Sequence, residues 1–338
     1  MSTTSGVFSE TQLLDIRIKA EQLGLDSRIG LQYKANVNTI LALQAAQTAR
    51  IIPLERKDKD HEVEIEWINA CGIEVGDNVS CVVGGEELST NTEKHALDIE
   101  KVVNFTVDDS AFINNDFGRE EAIAKGFMRA DKVLSEYLAQ TAVAKLESFK
   151  GVNQLTGGKG TVSGLHTYIL PSSWDATLMA YLSRASVVNQ FGVPILLSGQ
   201  NLYEAFMIAQ AKIGNDNGKG DVSLFSGMRM YFDLFNVDSV NDPDLKTYMI
   251  NTGAIALASK TYYTPSIVTY SAEKRWSISS AHIPGLEFDV HYKDECGTND
   301  FYKHHFKIKL KSGIFQNPLG CNAENTGVLS FICGVPSL

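Results

Sequence analysis

The side chains best suited to metal chemistry lie between residues 291 and 305. His291, Cys296, His304 and His305 carry the nitrogen and sulfur atoms that zinc prefers. Their spacing matches no standard zinc module. Because side chains alternate along a strand, His304 falls on the face of the apolar residues that follow it and is predicted to be a packed core histidine, whereas His305 points outward. The sequence therefore predicts no metal ligand here.

Other catalytic patterns also fail. Residues 157–161 are glycine-rich and contain Lys159, but a glycine follows the lysine, and Asn153 stands where a phosphate-binding loop needs its first glycine. Glu287 and Asp289 flank an apolar residue on a predicted strand, which favours two solvent-facing carboxylates over an acid/base pair. The sequence lacks the common motifs for dinucleotide binding, nucleophilic serine, zinc protease and paired cysteines. No cofactor is expected.

Two charged stripes share the two-residue period of a β-strand. The positive stripe consists of Lys307, Lys309 and Lys311, and the negative stripe consists of Glu62, Glu64 and Glu66. Trp67 follows the negative stripe on the apolar side of the same strand. We hypothesise that these residues meet between subunits. The alternative is two unrelated solvated faces, because exposed charges usually pair with water.

One long helix is predicted from Asp116 to Lys150, DFGREEAIAKGFMRADKVLSEYLAQTAVAKLESFK. At 1.5 Å per residue it would be roughly 50 Å long. Its narrow apolar stripe includes the packing residues Phe127, Leu134 and Tyr137. We interpret it as a strut in which alanine is tolerated at Gly126. The alternative is an ordinary core helix broken near that glycine, which costs roughly 1 kcal/mol inside a helix.

A β-hairpin is predicted before this helix. Residues 61–68 alternate between charged and apolar side chains, residues 97–107 provide the returning strand, and a glycine-rich segment lies between them. A two-stranded excursion is marginal alone. Its apolar face is therefore predicted to be buried by a neighbouring subunit, as is that of the N-terminal segment. The alternative is a surface hairpin packed on its own subunit.

The remaining elements are short. A capping box at Ser9 and Gln12 opens one helix, and a second covers residues 37–49. Further elements are a strand at 168–170, a helix carrying Leu178, Leu182 and Ala185, a strand at 193–197, a helix opened by Ser198, and strands at 229–235, 248–259, 276–279, 286–292, 301–310 and 328–333. The order of elements predicts an α+β protein.

The composition narrows the class of protein. The chain has 338 residues, 44% of them hydrophobic, with a formal net charge of −10, which argues against a protein that coats nucleic acid through a basic surface. Five scattered cysteines and an N-terminus without a basic and apolar leader predict reduced thiols and folding in the cytoplasm. No apolar run approaches the ~20 residues of a membrane span, so no membrane partner is expected.

Four stretches resemble the major capsid proteins of tailed bacteriophages, the Hong Kong 97-type fold. They are GMRMYFDLFNVDSV (227–240), TYMINTGAIALASK (247–260), IPGLEFDVHYKDEC (283–296) and KIKLKSGIFQNPLGCN (307–322). The order of elements is similar too. The resemblance implies an N-terminal arm (1–50), an extended β-hairpin loop (51–113), a peripheral domain with a spine helix (114–165), a mixed α/β axial domain (166–300) and returning C-terminal strands (301–338).

This resemblance implies a structural protein rather than an enzyme. Copies of the chain would assemble into hexamers and pentamers of an icosahedral virion shell that encloses double-stranded DNA, after folding in the host bacterial cytoplasm. Portal, scaffolding and decoration proteins would be its other partners. Two alternatives remain open: an encapsulin-like compartment that stores an enzyme, and an α/β enzyme that uses Asp233, Asp238 or His291 in a cleft.

Overall fold

The computed structural model describes residues 8–25, 32–53, 62–68, 90–112, 118–175, 177–200, 202–203, 228–237, 246–297, 301–318 and 326–336. Its helices are α1 (Glu10–Leu25), α2 (Asn38–Ala46), α3 (Arg119–Phe149) and α4 (Leu178–Val188). The predicted capping box is present at the start of α1, where the Ser9 amide donates to Gln12 Oε1 (2.9 Å) and the Gln12 amide donates to Ser9 Oγ (3.2 Å). Together with three β-sheets, these helices give the predicted α+β class.

The first sheet, called the hairpin sheet, contains β1 (Arg50–Pro53), β2 (Glu62–Ile68) and β3 (Thr90–Ala96) in antiparallel order. The hairpin is therefore present, but its returning strand is 90–96. The segment 97–107, predicted to pair with β2, instead supplies β4 (Ile99–Asp108), which pairs with a different sheet. Alternation identified β4 as a strand but did not specify its partner, because partner choice depends on segments far along the chain.

The second sheet, called the long-strand sheet, is built around one strand of 15 residues, β14 (Tyr302–Gln316). One edge of β14 pairs with β4, and the other pairs first with β13 (Glu287–Cys296) and then with β10 (Ile255–Ser259). β12 (Glu273–Ser279) and β11 (Val268–Tyr270) extend the sheet beyond β13. All these pairings are antiparallel, so rows of side chains cross the sheet on each face.

The third sheet, called the mixed sheet, combines parallel and antiparallel pairs. Its order is β5 (Gly160–Ser163), β6 (His166–Ile169), β15 (Val328–Cys333), β9 (Lys246–Ile250), β7 (Ile195–Ser198) and β8 (Arg229–Phe232). Helix α4 packs on it through the predicted residues Leu178, Leu182 and Ala185. The predicted strand 248–259 is thus two strands in two sheets, separated by a turn in which Gly253 has φ +87°.

Helix α3 joins the long-strand sheet to the other helices. It is unbroken for 31 residues, so the predicted single helix is confirmed over the described residues and the alternative of a break near Gly126 is wrong. The predicted cap Asp116 lies outside the described residues. The buried surface of the helix is wider than a narrow stripe, because α1 packs on one side and β4 with β14 on another. It is therefore a core helix as well as a long one.

Gly126 is explained by a neighbouring ring. A Cβ at this position would lie 2.5 Å from Cε2 of Phe105 on β4. That ring is held in place by stacking on Phe306 (4.9 Å between centroids) and by an edge contact with Phe127 (5.7 Å). This contact argues against the expectation that alanine is tolerated, since the ring would have to move.

Gly126→Ala is expected to destabilise the chain by about 1 kcal/mol, because overpacking costs roughly 1–3 kcal/mol and the gain in helix propensity returns ~1. In a Phe105→Ala background the clash is gone, and the same substitution is expected to stabilise by up to about 1 kcal/mol. Denaturant unfolding of the four proteins measures this double-mutant cycle. An equal effect of Gly126→Ala in both backgrounds would show that Phe105 is not the reason for the glycine.

Candidate assembly site

The base of the hairpin is packed on its own chain. Val63 and Ile65 are fully buried, and Trp67 is 1% exposed. They contact Ala256 and Ala258 of β10, together with Leu97 and Phe315. The prediction that only a neighbouring subunit buries this face is therefore wrong for the described residues, and the alternative of intramolecular packing holds. Trp67 is a core residue, so any role in assembly would be indirect.

The N-terminal segment is also packed locally. Phe8, Leu13 and Ile16 are buried at 2% exposure or less, and α1 lies against α3. Helix α2 is anchored at its first turn by Asp233, which accepts hydrogen bonds from the amide (3.2 Å) and hydroxyl (2.6 Å) of Thr39. The prediction that a neighbouring subunit buries the apolar face of this segment is therefore wrong for its described residues, since hydrophobic periodicity in short helices does not reveal which part of the chain covers them.

Two lysines of the positive stripe already have a partner. Lys309 and Lys311 each place Nζ 2.8 Å from a carboxylate oxygen of Glu100, on the neighbouring strand β4. These two hydrogen bonds hold the pKa of Glu100 at about 2. Lys307, which sits opposite Asn104, is exposed. The lysines that were predicted to meet another subunit are therefore partly neutralised within one chain.

The glutamates of the negative stripe lie on the face of β2 away from the core. Glu62, Glu64 and Glu66 are all partly exposed. Glu64 sits opposite Lys94 of β3, and Glu66 opposite Arg50 of β1. Their role in an interface between subunits stays a prediction.

The helix residues singled out from the sequence occupy two environments. Phe127 lies in an aromatic cluster with Phe105, Trp276 and Phe306, with ring centroids 5.3 to 6.4 Å from its own. Leu134 is fully buried. Tyr137 is half-buried, and its ring lies 4.6 Å below the Lys101 ammonium. All three pack within the chain.

A buried polar network ties the start of α1 to the long-strand sheet. The fully buried His304 donates from Nε2 to Asp109 Oδ1 (3.0 Å), and its Nδ1 accepts from the Tyr292 hydroxyl (2.9 Å). Arg119, at the start of α3, donates to the other oxygen of Asp109 (3.0 Å). The Phe8 amide reaches the Tyr292 hydroxyl at 3.5 Å. Burial lowers the pKa of His304, so the neutral imidazole is favoured. His304 is thus the packed core histidine that alternation predicted.

Phe8 is held from several directions. The Arg119 guanidinium lies 4.3 Å from the centre of its ring, and the His304 ring lies 4.5 Å away. Lys274 donates to its carbonyl oxygen. Sequence patterns do not predict these contacts around Phe8, because the residues that make them come from four distant segments.

A second polar junction links the end of α3 to the mixed sheet. The Tyr248 hydroxyl donates to Glu147 Oε2 (2.7 Å), and Lys150 pairs with the other oxygen of the same carboxylate. His166 Nε2 is 2.9 Å from Lys150 Nζ. Hydrogen bonds from Lys150 and Tyr248 lower the pKa of Glu147 against the opposing effect of burial, which is the largest single influence. One end of α3 is therefore tied to the long-strand sheet and the other end to the mixed sheet.

The candidate metal ligands do not converge. His304 is occupied by Asp109 and Tyr292, Cys296 is exposed, and His305 bonds to Thr106 Oγ1 (2.9 Å). Over the described ranges, no group of three or more His, Cys, Asp or Glu side chains is arranged to hold a metal ion. Within the same ranges, no helix combines the length and apolar character needed to cross a membrane.

The prediction that Glu287 and Asp289 both face solvent is wrong for Asp289. Asp289 is 1% exposed rather than solvent-facing, because the segment at Tyr262 and Tyr263 covers it and donates two backbone amides to it (2.9 and 3.1 Å to Oδ1). Burial raises its pKa. Glu287 is partly exposed and accepts a hydrogen bond from Thr261 (3.1 Å).

The candidate catalytic residues of the enzyme alternative that lie within the described part of the chain make structural contacts. Asp233 is fully buried and accepts bonds from Thr39, Phe235 and Asn236. Asp238 lies outside the described residues. His291 is half-buried on the outer face of the long-strand sheet, with its ring 5.3 Å from that of Tyr263. Asp233 thus acts as a bracket between α2 and the turn after β8.

Comparisons with known proteins give structural neighbours only. No family model matches the chain, and no curated protein matches it. The chain is similar to a solved chain of Mycobacterium phage Che8, at 13% identity and a TM-score of 0.43 over 84% of this chain and 92% of that chain. It is similar to a chain in the capsid structure of the Cyanophage P-SCSP1u, at 9% identity and 0.44 over 85% and 89%. A chain of the Cyanophage Pam1 capsid asymmetric unit gives 10% identity and 0.43 over 82% and 86%.

Proposed function

We propose that this chain is the major capsid protein of a tailed bacteriophage, a non-enzymatic subunit whose work is self-assembly. The observation that carries the proposal is the order and attachment of its elements. An N-terminal helix, a hairpin sheet, the long helix α3 on an antiparallel sheet, and a mixed sheet follow one another along the chain. That order is the one expected of a Hong Kong 97-type subunit from the resemblance of the sequence.

The attachment of α3 suits a load-bearing subunit. Its start is fixed by Arg119 through Asp109, its middle by the ring cluster around Phe127, and its end by Glu147 through Tyr248. A rigid element tied at both ends holds two sheets at a set separation, and shells need subunits of defined shape because their contacts are heterologous and must close.

The proposed partners follow from this role. Copies of the chain form hexamers and pentamers of a virion shell around double-stranded DNA, with portal, scaffolding and decoration proteins at other surfaces. The net charge of −10 would keep packaged DNA from adhering strongly to the wall. The domain boundaries that we propose are those implied by the resemblance of the sequence. Assembly takes place in the host bacterial cytoplasm.

Reversal of the three hairpin glutamates tests the proposed interface. Glu62→Lys, Glu64→Lys and Glu66→Lys in one protein are expected to abolish particles and to leave the core of the subunit folded, because the three side chains lie on the face of β2 opposite the core. Some loss of stability in the hairpin sheet is expected, because reversal places like charges opposite Lys94 and Arg50. Sedimentation velocity measures assembly, and circular dichroism measures folding. The matched triple glutamine variant removes charge without reversing it and is expected to assemble less well than the native chain. Normal particles from the lysine variant would remove the hairpin glutamates from the interface.

An encapsulin-like compartment is the second candidate, since it shares the same architecture in the resemblance. The content of purified particles separates the two. Double-stranded DNA of uniform length supports the phage capsid, and a single co-purified enzyme supports the compartment.

A further inference from the structure

A cavity on the outer face of the long-strand sheet is lined by several cationic and polar side chains. Its volume is about 500 Å³, and it opens between β4, β12, β13 and β14. Side chains of Arg275, Lys293, Lys307, His291 and Asn104 line it, with Glu273 as its carboxylate. We call this feature the cationic cavity. A concavity of this size is typical of sites for small molecules.

Strand register places two cations and a histidine in one row. Arg275 on β12 is opposite His291 on β13, and His291 is opposite Lys307 on β14. Directly opposed side chains on one face lie about 5 Å apart at Cβ, so the three form a row across the sheet. Lys293 occupies the adjacent row, where it is directly opposite Glu273.

The positive charge of this row is only partly compensated within the chain. Arg275 pairs with Glu273 (2.6 Å) and donates to the Tyr263 hydroxyl (3.1 Å). Neither Lys293 nor Lys307 has a carboxylate within 4.0 Å among the residues that the structure describes. The contrast with Lys309 and Lys311, both paired with Glu100, singles out this part of the sheet. Burial lowers the pKa of His291, and the nearby cations Arg275 and Lys307 lower it further.

Carboxylates around the cavity limit the size of its ligand. Glu100 accompanies the lysines on one side, and Glu295 and Asp108 lie near Lys303 on the other. An extended polyanion such as duplex DNA needs a continuous run of cations to neutralise successive phosphates, and these carboxylates interrupt it. A compact anion can contact the central cations and avoid the rim.

We propose that the cationic cavity binds a small free polyanion that carries two or three phosphate groups. Lys307 and Lys293 supply ammonium donors, the half-buried His291 and the exposed Asn104 add polar atoms, and Arg275 adds charge beside its pair with Glu273. Phosphate oxygens are the acceptors that best match several cationic donors converging on one point.

Titration calorimetry with tripolyphosphate tests the site. The full-length chain is expected to bind one tripolyphosphate per subunit at constant ionic strength. The double variant Lys293→Gln, Lys307→Gln is expected to weaken binding by about ten-fold or more, since each lost charge-assisted contact contributes on the order of 1 kcal/mol. The matched variant Lys311→Gln, on the same face of β14 but outside the cavity, is expected to change the affinity by less than about two-fold.

Three outcomes would overturn the proposal. The first is heat no greater than that from sodium chloride of the same ionic strength. The second is native affinity in the double variant with a normal unfolding curve. The third is tighter 1:1 binding of a short DNA duplex or a glutamate-rich peptide than of tripolyphosphate, which would assign the cavity to a macromolecule instead.

Discussion

Gly126→Pro is expected to prevent shell formation and to destabilise the subunit by about 3 kcal/mol or more. Proline removes the amide that bonds to the carbonyl one turn earlier, and its ring clashes with that carbonyl. The site lies inside the unbroken helix α3, and Phe105 already fills the space beside it. Denaturant unfolding measures the loss of stability, and sedimentation measures the loss of particles.

Gly118→Pro is the matched control. Gly118 caps the same helix with φ −69° and ψ 142°, which proline can adopt, and a Cβ there would meet no atom within 4 Å. Its carbonyl still accepts from the Glu121 amide. The control is expected to change stability by less than about 1 kcal/mol and to assemble normally. Normal particles from Gly126→Pro would show that an unbroken α3 is not needed for the shell.

Asp109→Ala is expected to cost about 3–5 kcal/mol, because it leaves Arg119 and the fully buried His304 without their shared acceptor. The loss should also loosen Phe8, which packs on both partners. Unfolding in denaturant gives the stability, and limited proteolysis near the start of α1 reports the loosening. Faster cleavage there, at a denaturant concentration where the rest of the chain stays folded, is the expected result.

Asp108→Ala provides the comparison from the adjacent position. Asp108 Oδ1 accepts hydrogen bonds at the surface from the Ser110 amide (2.9 Å) and the Ser110 hydroxyl (2.6 Å). The ion pair between Asp108 and Lys303 is long, at 4.0 Å. Its replacement is expected to cost about 1 kcal/mol and to leave the proteolysis pattern unchanged. Equal losses in the two variants would contradict a special role for the buried network.

Local patterns predicted much of the fold. Alternation placed His304, Phe306 and Ile308 on one face of β14, and all three are buried. The capping box fixed the start of α1, and the long helical period predicted α3 to within three residues at its described start and one at its end. These features depend on neighbours in sequence, which is why the sequence alone was enough.

What the sequence did not predict depends on contacts between distant segments. Gly126 faces Phe105, and Asp289 accepts hydrogen bonds from the backbone amides of residues 262 and 263. Glu100 pairs with two of the lysines that were predicted to contact another subunit. Periodicity states which face of a strand is covered or charged, but not which segment lies on it. For the same reason, the sequence predicts that a neighbouring subunit buries the apolar face of the hairpin base, whereas β10 of the same chain buries it.

Negative-stain electron microscopy of the purified full-length chain tests the central claim most directly. A capsid subunit with this architecture is expected to form closed shells of uniform size, alone or with a scaffolding protein supplied from the same phage. A single species that remains monomeric or dimeric at high concentration, with and without that scaffold, would contradict the proposal.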